Sequence, residues 1–379
     1  MLNQKQKSII KILMFGTGLD VKGGVTSVEK LIINNAPIQL RFRHVATIGQ
    51  GSAIHNIILF YTAIQNLVLT ILCRDVDIIH IHFSERGSTL RKSILVFIAS
   101  LFRQSIILHA HGATYQEFYA GLPLFVKNIL VSLFSKCRII VLSKSWQDYY
   151  SHELSLDKSR VLVLYNPVDL PSNMPYREGR KHLKFIFLGR IGKRGGALDI
   201  AQSVMSFPKQ DKGAFDLINA FAVLPEADRD HVELVMAGNG DLAAANQLIA
   251  DLHLTDKITI LDWLDAEQRD KLLATADAFI LPSYNEGLPM SMLESMAWGL
   301  PVIVTPVGGI PEVIIDHQNG LLVEPGIQDQ LVEAMQSLIR DESLRLSLGT
   351  AGRDSVKDLN IHNYMKSLSD LYATAIQKK

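Results

Sequence analysis

Short runs rich in Ile, Val and Leu alternate along this chain with longer segments of helical periodicity, and no other feature restricts its fold as strongly. Such alternation marks parallel α/β architecture, because a parallel strand needs a crossover helix to bring the chain back. The strand candidates of the first half are 9–15, 78–82, 106–109, 139–142 and 161–164. Those of the second half are 185–188, 233–237, 258–261, 278–281 and 302–305, with 321–323 as a sixth. Between the two sets, 166–176 carries Pro167, Pro171 and Pro175 and reads as a linker. The expectation is two Rossmann-like domains, 1–172 and 173–356, with parallel sheets whose carboxyl edges face each other. A helical segment follows over 357–379. Its Ile361, Tyr364, Met365, Leu368 and Leu371 recur at helical spacing, so one face must be buried, and a return to the first domain is one way to bury it.

Composition narrows the function. Lys plus Arg equals Asp plus Glu, 38 each, which argues against a generalist nucleic-acid binder. Cys73 and Cys137 form no CxxC and no Cys/His cluster, so neither a disulfide framework nor structural zinc is expected, and a reducing cytosol fits best. The polar, basic stretch 1–11 leads into a strand-length run and does not read as a signal peptide. The apolar stretch 54–72 is interrupted by Asn56, Gln65 and Asn66, and 94–102 is too short to span a bilayer, so no transmembrane helix is expected.

Residues with chemical potential follow the strands: Gly16-Thr17-Gly18 with Gly23-Gly24, His111-Gly112, Gly189-Arg190, Gly238-Asn239-Gly240, and Glu286. Ligands of open α/β sheets bind beyond the carboxyl ends of the strands, so two facing domains would share one deep cleft. In 282–301, Pro289 suits the first turn of a helix, Gly299 its cap, and Pro301 its end. The free N–H groups of that first turn form an anion site beside Gly287, with Met290 and Ser291 as donors because Pro289 has no N–H. Glu286 precedes the helix and Glu294 lies about one turn inside it. Two carboxylates flanking a phosphate site suit the hydroxyls of a sugar nucleotide.

Glu286 and Glu294, separated by seven residues, resemble the E-x7-E arrangement of the retaining glycosyltransferases of the GT-B fold, the large group-1 family. Gly308-Gly309-Ile310-Pro311-Glu312, Asn319-Gly320-Leu321-Leu322-Val323, Gly189-Arg190 and Ala237-Gly238-Asn239-Gly240 are also similar to that family's C-terminal half. In the first half, Gly23-Gly24-Val25 and His109-Ala110-His111-Gly112 resemble it more loosely. The resemblance implies that Glu286 binds hydroxyls of the donor sugar and Glu294 the ribose. It implies that His111 contacts the donor sugar near the reacting centre, and that Arg190 with a following lysine neutralises the diphosphate. The base would stack near Asp262, Trp263 and Leu264. Gly23, Gly24, Gly189 and Gly240 would line the donor site. Retention is explained there by front-face attack, with the leaving phosphate helping to deprotonate the acceptor. Electrostatic stabilisation of the departing diphosphate then matters more than a base. No metal and no cofactor are expected. His80 and His82 are expected on opposite faces of their strand, with no partner spacing that points to a metal.

The chain departs from the pattern after Arg190. The family places its phosphate lysine five or six residues on, followed by glycine. Here Lys193-Arg194-Gly195-Gly196 keep the short distance, whereas Lys212-Gly213 keep the sequence context. The stretch between them reads as a duplication: Gly196-Ala197-Leu198-Asp199-Ile200 matches Gly213-Ala214-Phe215-Asp216-Leu217, and Pro208 matches Pro225, at a common offset of seventeen. Lys212 is favoured, because its glycine leads into a helix that fits the anion-site logic, with Lys193 the alternative.

Basic residues bracket two apolar runs of the first half: Arg86, Arg91, Lys92 and Arg103 around 94–102, and Lys127 and Lys136 around 129–134. The pattern suits peripheral contact with an anionic membrane, as well as ordinary buried helices with solvated ends. The resemblance implies a nucleotide-diphosphate sugar as donor. The acceptor would be a sugar or a lipid-linked sugar, as in bacterial surface-polysaccharide assembly, met in the cytoplasm or on the inner face of its membrane. Rival readings are a nucleotide-sugar-binding protein without turnover and another GT-B-like enzyme such as an epimerase. A dinucleotide oxidoreductase is disfavoured, because Val21 stands where the third glycine of G-x-G-x-x-G belongs.

Overall fold

A computed structural model describes residues 9–192 and 212–377; Lys193, Arg194 and the first copy of the repeat lie outside the described residues. The chain forms two compact units, Met1–Pro167 with Ile361–Lys379, and Val168–Asn360. Each is built on a six-stranded parallel sheet, the fold class that the alternation predicts.

The first sheet contains β1 (Ile10–Gly16), β2 (Leu40–Ala46), β3 (Ile78–Phe83), β4 (Ser105–Ala110), β5 (Arg138–Val141) and β6 (Val161–Val163), in the order β2-β1-β3-β4-β5-β6. Its helices are α1 (Gly24–Asn34), α2 (Ala53–Leu72), α3 (Gly87–Leu101), α4 (Tyr115–Ala120), α5 (Leu124–Phe134) and α6 (Lys144–Glu153). The second sheet contains β7 (Leu183–Leu188), β8 (Val232–Ala237), β9 (Ile258–Leu261), β10 (Ala278–Leu281), β11 (Val302–Val304) and β12 (Leu321–Leu322), in the order β12-β11-β10-β7-β8-β9. Around it lie α7 (Ala214–Ala222), α8 (Glu226–Arg229), α9 (Leu242–Asp251), α10 (Ala266–Thr275), α11 (Met290–Ala297), α12 (Gln328–Arg340) and α13 (Glu342–Val356). Every predicted strand is present. The sequence reading missed β2, whose Arg41, Arg43 and His44 break up its apolar pattern. As the edge strand beside β1 it tolerates that polarity, because one of its sides is not covered by a neighbour.

The last helix, α14 (Ile361–Gln377), belongs to the first unit. Tyr364, Met365, Leu368, Tyr372 and Ala375 are its buried residues, while Ile361 and Leu371 are only half-buried. The Tyr372 hydroxyl lies 2.6 Å from His80 Nδ1, and Ser105 Oγ donates to the Ala375 carbonyl. Its apolar stripe thus completes one face of the first sheet.

One expectation is corrected. His80 and His82 point to the same face of β3, with stacked rings 4.5 Å apart, because residues two apart in a strand share a side. The stretch 53–72 is one unbroken helix, and by length and composition alone it could cross a membrane. Its polar residues interrupt nothing, since a helix satisfies its own backbone. Ala63, Leu67, Thr70 and Ile71 are nevertheless buried within the unit.

Candidate functional site

In the second sheet β7 pairs with β8 on one side and with β10 on the other, so the chain reverses its direction of progress at β7. Crevices at such switch points are where open sheets bind ligands. Arg190 follows β7, and the segment 282–289 follows β10. The loops after β7 and β8 are tied together: Gly189 N–H bonds to the Ala237 carbonyl at 3.0 Å, Ile191 N–H to Asn239 at 2.8 Å, and Asp241 N–H to Ile191 at 2.7 Å. Gly240 therefore sits beside Ile191, next to Arg190.

Lys212 enters this crevice from the start of α7. Its Nζ lies 2.7 Å from Glu286 Oε1 and 3.3 Å from the Asn285 carbonyl. Gly213, the N-cap of α7, has φ 65°, and a Cβ there would collide with the Pro282 carbonyl, so only glycine lets α7 start this close to β10. Ser283 Oγ donates to the same Glu286 oxygen at 2.8 Å, and Thr305 Oγ1 donates to the Ser283 carbonyl at 2.5 Å. From the far side, Gly309 N–H bonds to the Gly287 carbonyl at 2.6 Å. The preceding Gly308, at φ 59°, packs so tightly that a Cβ would strike the Glu286 carbonyl. Glu286 is thus 6% exposed, with its carboxylate fixed between a hydroxyl and an ammonium.

Glu294 lies within α11, whose N-cap is Pro289 and whose first turn carries Met290 and Ser291. Arg269, on α10, reaches it at 2.8 Å. Burial nevertheless pushes the Glu294 carboxyl up to about 7, with Arg269 opposing the rise. Tyr284 in the loop donates to Asp216 on α7 at 2.8 Å, a second tie between the lysine-bearing segment and the loop. Trp263 and Leu264 follow β9, the edge strand two places from β7, and are half-buried.

The first unit holds the remaining predicted residues. Gly23 is the N-cap of α1, and a Cβ on Gly23 or Gly24 would meet nothing within 4 Å, so the pair opens onto free space. His80, His82, His109 and His111 form a column across β3 and the end of β4, with neighbouring ring centroids 4.3–5.5 Å apart. Ring nitrogens of His80, His82 and His109 lie within 4.8 Å of one another, close enough to be weighed as a metal site. The His80 ring stacks on those of His82 and His109 at 20° and 16°, while His82 and His109 are tilted by 36°. Burial pushes His80 and His111 down to about 3 and His82 and His109 well below their ordinary range, so all four are neutral imidazoles at pH 7.

His82 Nδ1 lies 2.9 Å from His111 Nε2 and 4.0 Å from Glu29 Oε1. A proton on His82 Nδ1 would bond to His111 Nε2 and be favoured by the nearby Glu29 carboxylate. A proton on His111 Nε2 would instead turn the His82 Nδ1 lone pair towards the Glu29 carboxylate as well and move His82's own proton to Nε2, which is buried without a partner. His82 is therefore the donor, and His111 carries its proton on Nδ1. Glu29 is itself held by His44 Nε2 at 3.2 Å and by Thr17.

Lys212, Glu286, Gly287 and the start of α11 come together, with Gly189, Arg190 and Gly240 at the adjoining strand ends. Gly23, Gly24 and His111 lie in the first unit. Sequence reasoning missed Ser283, Arg269, Glu29 and the part played by His82. His-x-His on a strand followed by His-x-His on the next was the signal for His82; nothing in the sequence joins Arg269 to Glu294.

Residues 184–355 match the family profile described as glycosyl transferases group 1. An uncharacterised glycosyltransferase of Methanocaldococcus jannaschii is 27% identical over 254 residues, 65% of this chain; the chain spans 62% of that relative, less than two thirds of it. A UDP-Gal:alpha-D-GlcNAc-diphosphoundecaprenol alpha-1,3-galactosyltransferase of Escherichia coli is 25% identical over 321 residues, 80% of this chain and 76% of that protein. Anabaena HepE, crystallised with UDP-glucose, superposes with a TM-score of 0.72 at 15% identity, covering 96% of this chain and all of its own; at that identity the likeness concerns the fold.

Proposed function

We propose, from the match of residues 184–355 to the group 1 glycosyl transferase profile, that the protein transfers a sugar, with retention, from a nucleoside-diphosphate sugar to a hydroxyl acceptor. The observation that carries the reading is the junction of Lys212, Glu286 and the start of α11 at the switch point of the second sheet. A cation beside a helix N-terminus answers the charge that develops on a departing diphosphate, and a fixed carboxylate answers sugar hydroxyls. Lys212 and Arg190 hold the diphosphate, with Met290 and Ser291 N–H as further donors and Gly189, Gly240 and Gly287 giving close backbone approach. Glu286 orients the donor sugar. Glu294 takes the ribose, and Trp263 and Leu264 flank the base. His111, Gly23 and Gly24 of the first unit are further donor contacts in this reading, carried over from the family resemblance alone. With two cations on the diphosphate, a divalent metal is not required.

The acceptor in this reading is a lipid-linked sugar, the class named for the Escherichia coli relative, and the product feeds surface-polysaccharide assembly. Peripheral contact with an anionic membrane belongs to the same reading. Turnover of a panel of nucleoside-diphosphate sugars, with undecaprenyl-diphosphate-linked acceptors, EDTA present and the anomeric product read by NMR, tests it. Transfer with retained configuration is expected. Binding without turnover would favour a nucleotide-sugar-binding protein, and rescue from EDTA by added manganese would overturn the metal-free mechanism.

A further inference from the structure

The outer faces of α2, α3 and α5 are apolar where a solvated helix should be polar. On α2 the exposed apolar residues Ile54, Ile57, Ile58, Tyr61, Leu69 and Leu72 recur at helical spacing, with Gln65 the polar residue among them and Ile57 68% and Leu69 61% exposed. On α3 they include Phe97 and Leu101, and on α5 Leu124 and Phe125 are 73% and 68% exposed. The three helices are neighbours, α2 against α3 and α3 against α5. Each also carries a buried stripe on its other side, so these outer residues are not needed for the core. Contiguous exposed apolar patches of more than a few hundred Å² are uncommon on monomers and mark interaction surfaces.

Its charge is equally one-sided. None of the three helices contains Asp or Glu, in a chain whose acids and bases balance. Each helix runs back to the start of the next strand, so exposed Arg74, Arg103 and Lys136, just beyond their C-termini, stand along the same sheet edge. Arg91 and Lys127 lie nearer the opposite edge. A second copy of the chain would bring two positive rims together, which disfavours self-association. An anionic surface that accepts apolar side chains satisfies both features at once.

We propose that α2, α3 and α5 form a monotopic docking face that lies in the plane of an anionic bilayer, with α2 as its principal inserting helix. The proposal deepens the transferase reading, and rests on it only in that a lipid-linked acceptor would be met in this plane. Exposed α2 side chains enter the interfacial layer while Ala63, Leu67 and Ile71 keep the helix attached to the protein, so α2 lies flat rather than crossing.

Flotation of the full-length protein with vesicles of phosphatidylcholine alone, or mixed with phosphatidylglycerol, tests this. Binding at least tenfold tighter to the mixed vesicles is expected, weakened by salt. Ile57→Asn with Phe97→Ser and Phe125→Ser should lose at least tenfold of it, and Arg74→Glu with Arg103→Glu should erase the preference for anionic lipid. Both sets should leave circular dichroism and UDP-glucose binding unchanged, since none of these residues adjoins the candidate site. Absence of flotation by the native protein would overturn the proposal. So would a native dimer that the apolar variants convert to monomer, which would assign the face to a second copy. If flotation holds while no sugar is transferred, the membrane face stands and the transferase reading falls.

Discussion

The Lys212 ammonium lies 2.7 Å from the Glu286 carboxylate, which places the second Lys-Gly pair of the chain against the first glutamate of the E-x7-E pair. This contact favours Lys212 as the cation that meets the departing diphosphate. Lys212→Ala should lower turnover roughly a hundredfold, the scale of a lost electrostatic donor, with the fold retained. Lys193→Ala should stay near the native rate. The comparison is kcat at saturating acceptor, and the reverse ranking would hand the role to Lys193.

Glu294 supplies a pH signature. Its carboxyl is pushed up to about 7 by burial, so the folded protein holds a proton that the unfolded chain gives up near the ordinary value of 4.5. Stability from this group is therefore intact below about pH 4.5 and declines as pH rises towards 7. Ribose recognition, which wants the ionised acceptor, changes in the opposite sense. Affinity for UDP-glucose should rise about tenfold between pH 6 and 8, and calorimetry should show that rise vanish in Glu294→Gln. A sugar nucleotide is the right probe, because its diphosphate does not itself titrate in that window.

The hydrogen bond from His82 to His111 makes His82 a positioning residue. His82→Leu should lower kcat about tenfold, the worth of one hydrogen bond, with KM for the donor little changed. His82→Asn, whose amide nitrogen falls where Nδ1 was, should recover part of the loss. Equal losses in the two variants would mean that His82 only fills space.

Gly308→Ala tests how firmly the loop after β11 holds Glu286. A side chain at φ 59° that also meets the Glu286 carbonyl should cost about 1–3 kcal/mol of stability, read from urea denaturation. Donor binding should weaken with it. An alanine variant as stable as the native protein would show that this backbone yields easily.

Much of this was legible in the sequence because it is local. Strand runs, the Pro289 and Gly299 punctuation, and the Glu286–Glu294 spacing each lie within a short window. β2 escaped because its edge position permits Arg41 and Arg43 to interrupt the pattern. Arg269, Ser283 and Glu29 escaped as site residues because their meaning comes from partners that only the tertiary fold supplies. The same-side placement of His80 and His82 follows from strand periodicity alone, and was misjudged in the sequence reading.

The return of α14 to the first unit bears on the order in which the protein is finished. Val168–Asn360 is one continuous stretch and has all its own strands as soon as it leaves the ribosome. The unit begun first must wait for the last helix: until Tyr372 arrives to meet His80, the sheet face on which the four neutral histidines of β3 and the end of β4 lie has no such cover. Its completion is thus a long-range closure that follows synthesis of everything between. A nascent chain halted near residue 360 should hold a protease-resistant second unit and a cleavable first one, and resistance of the first should appear only once α14 has emerged.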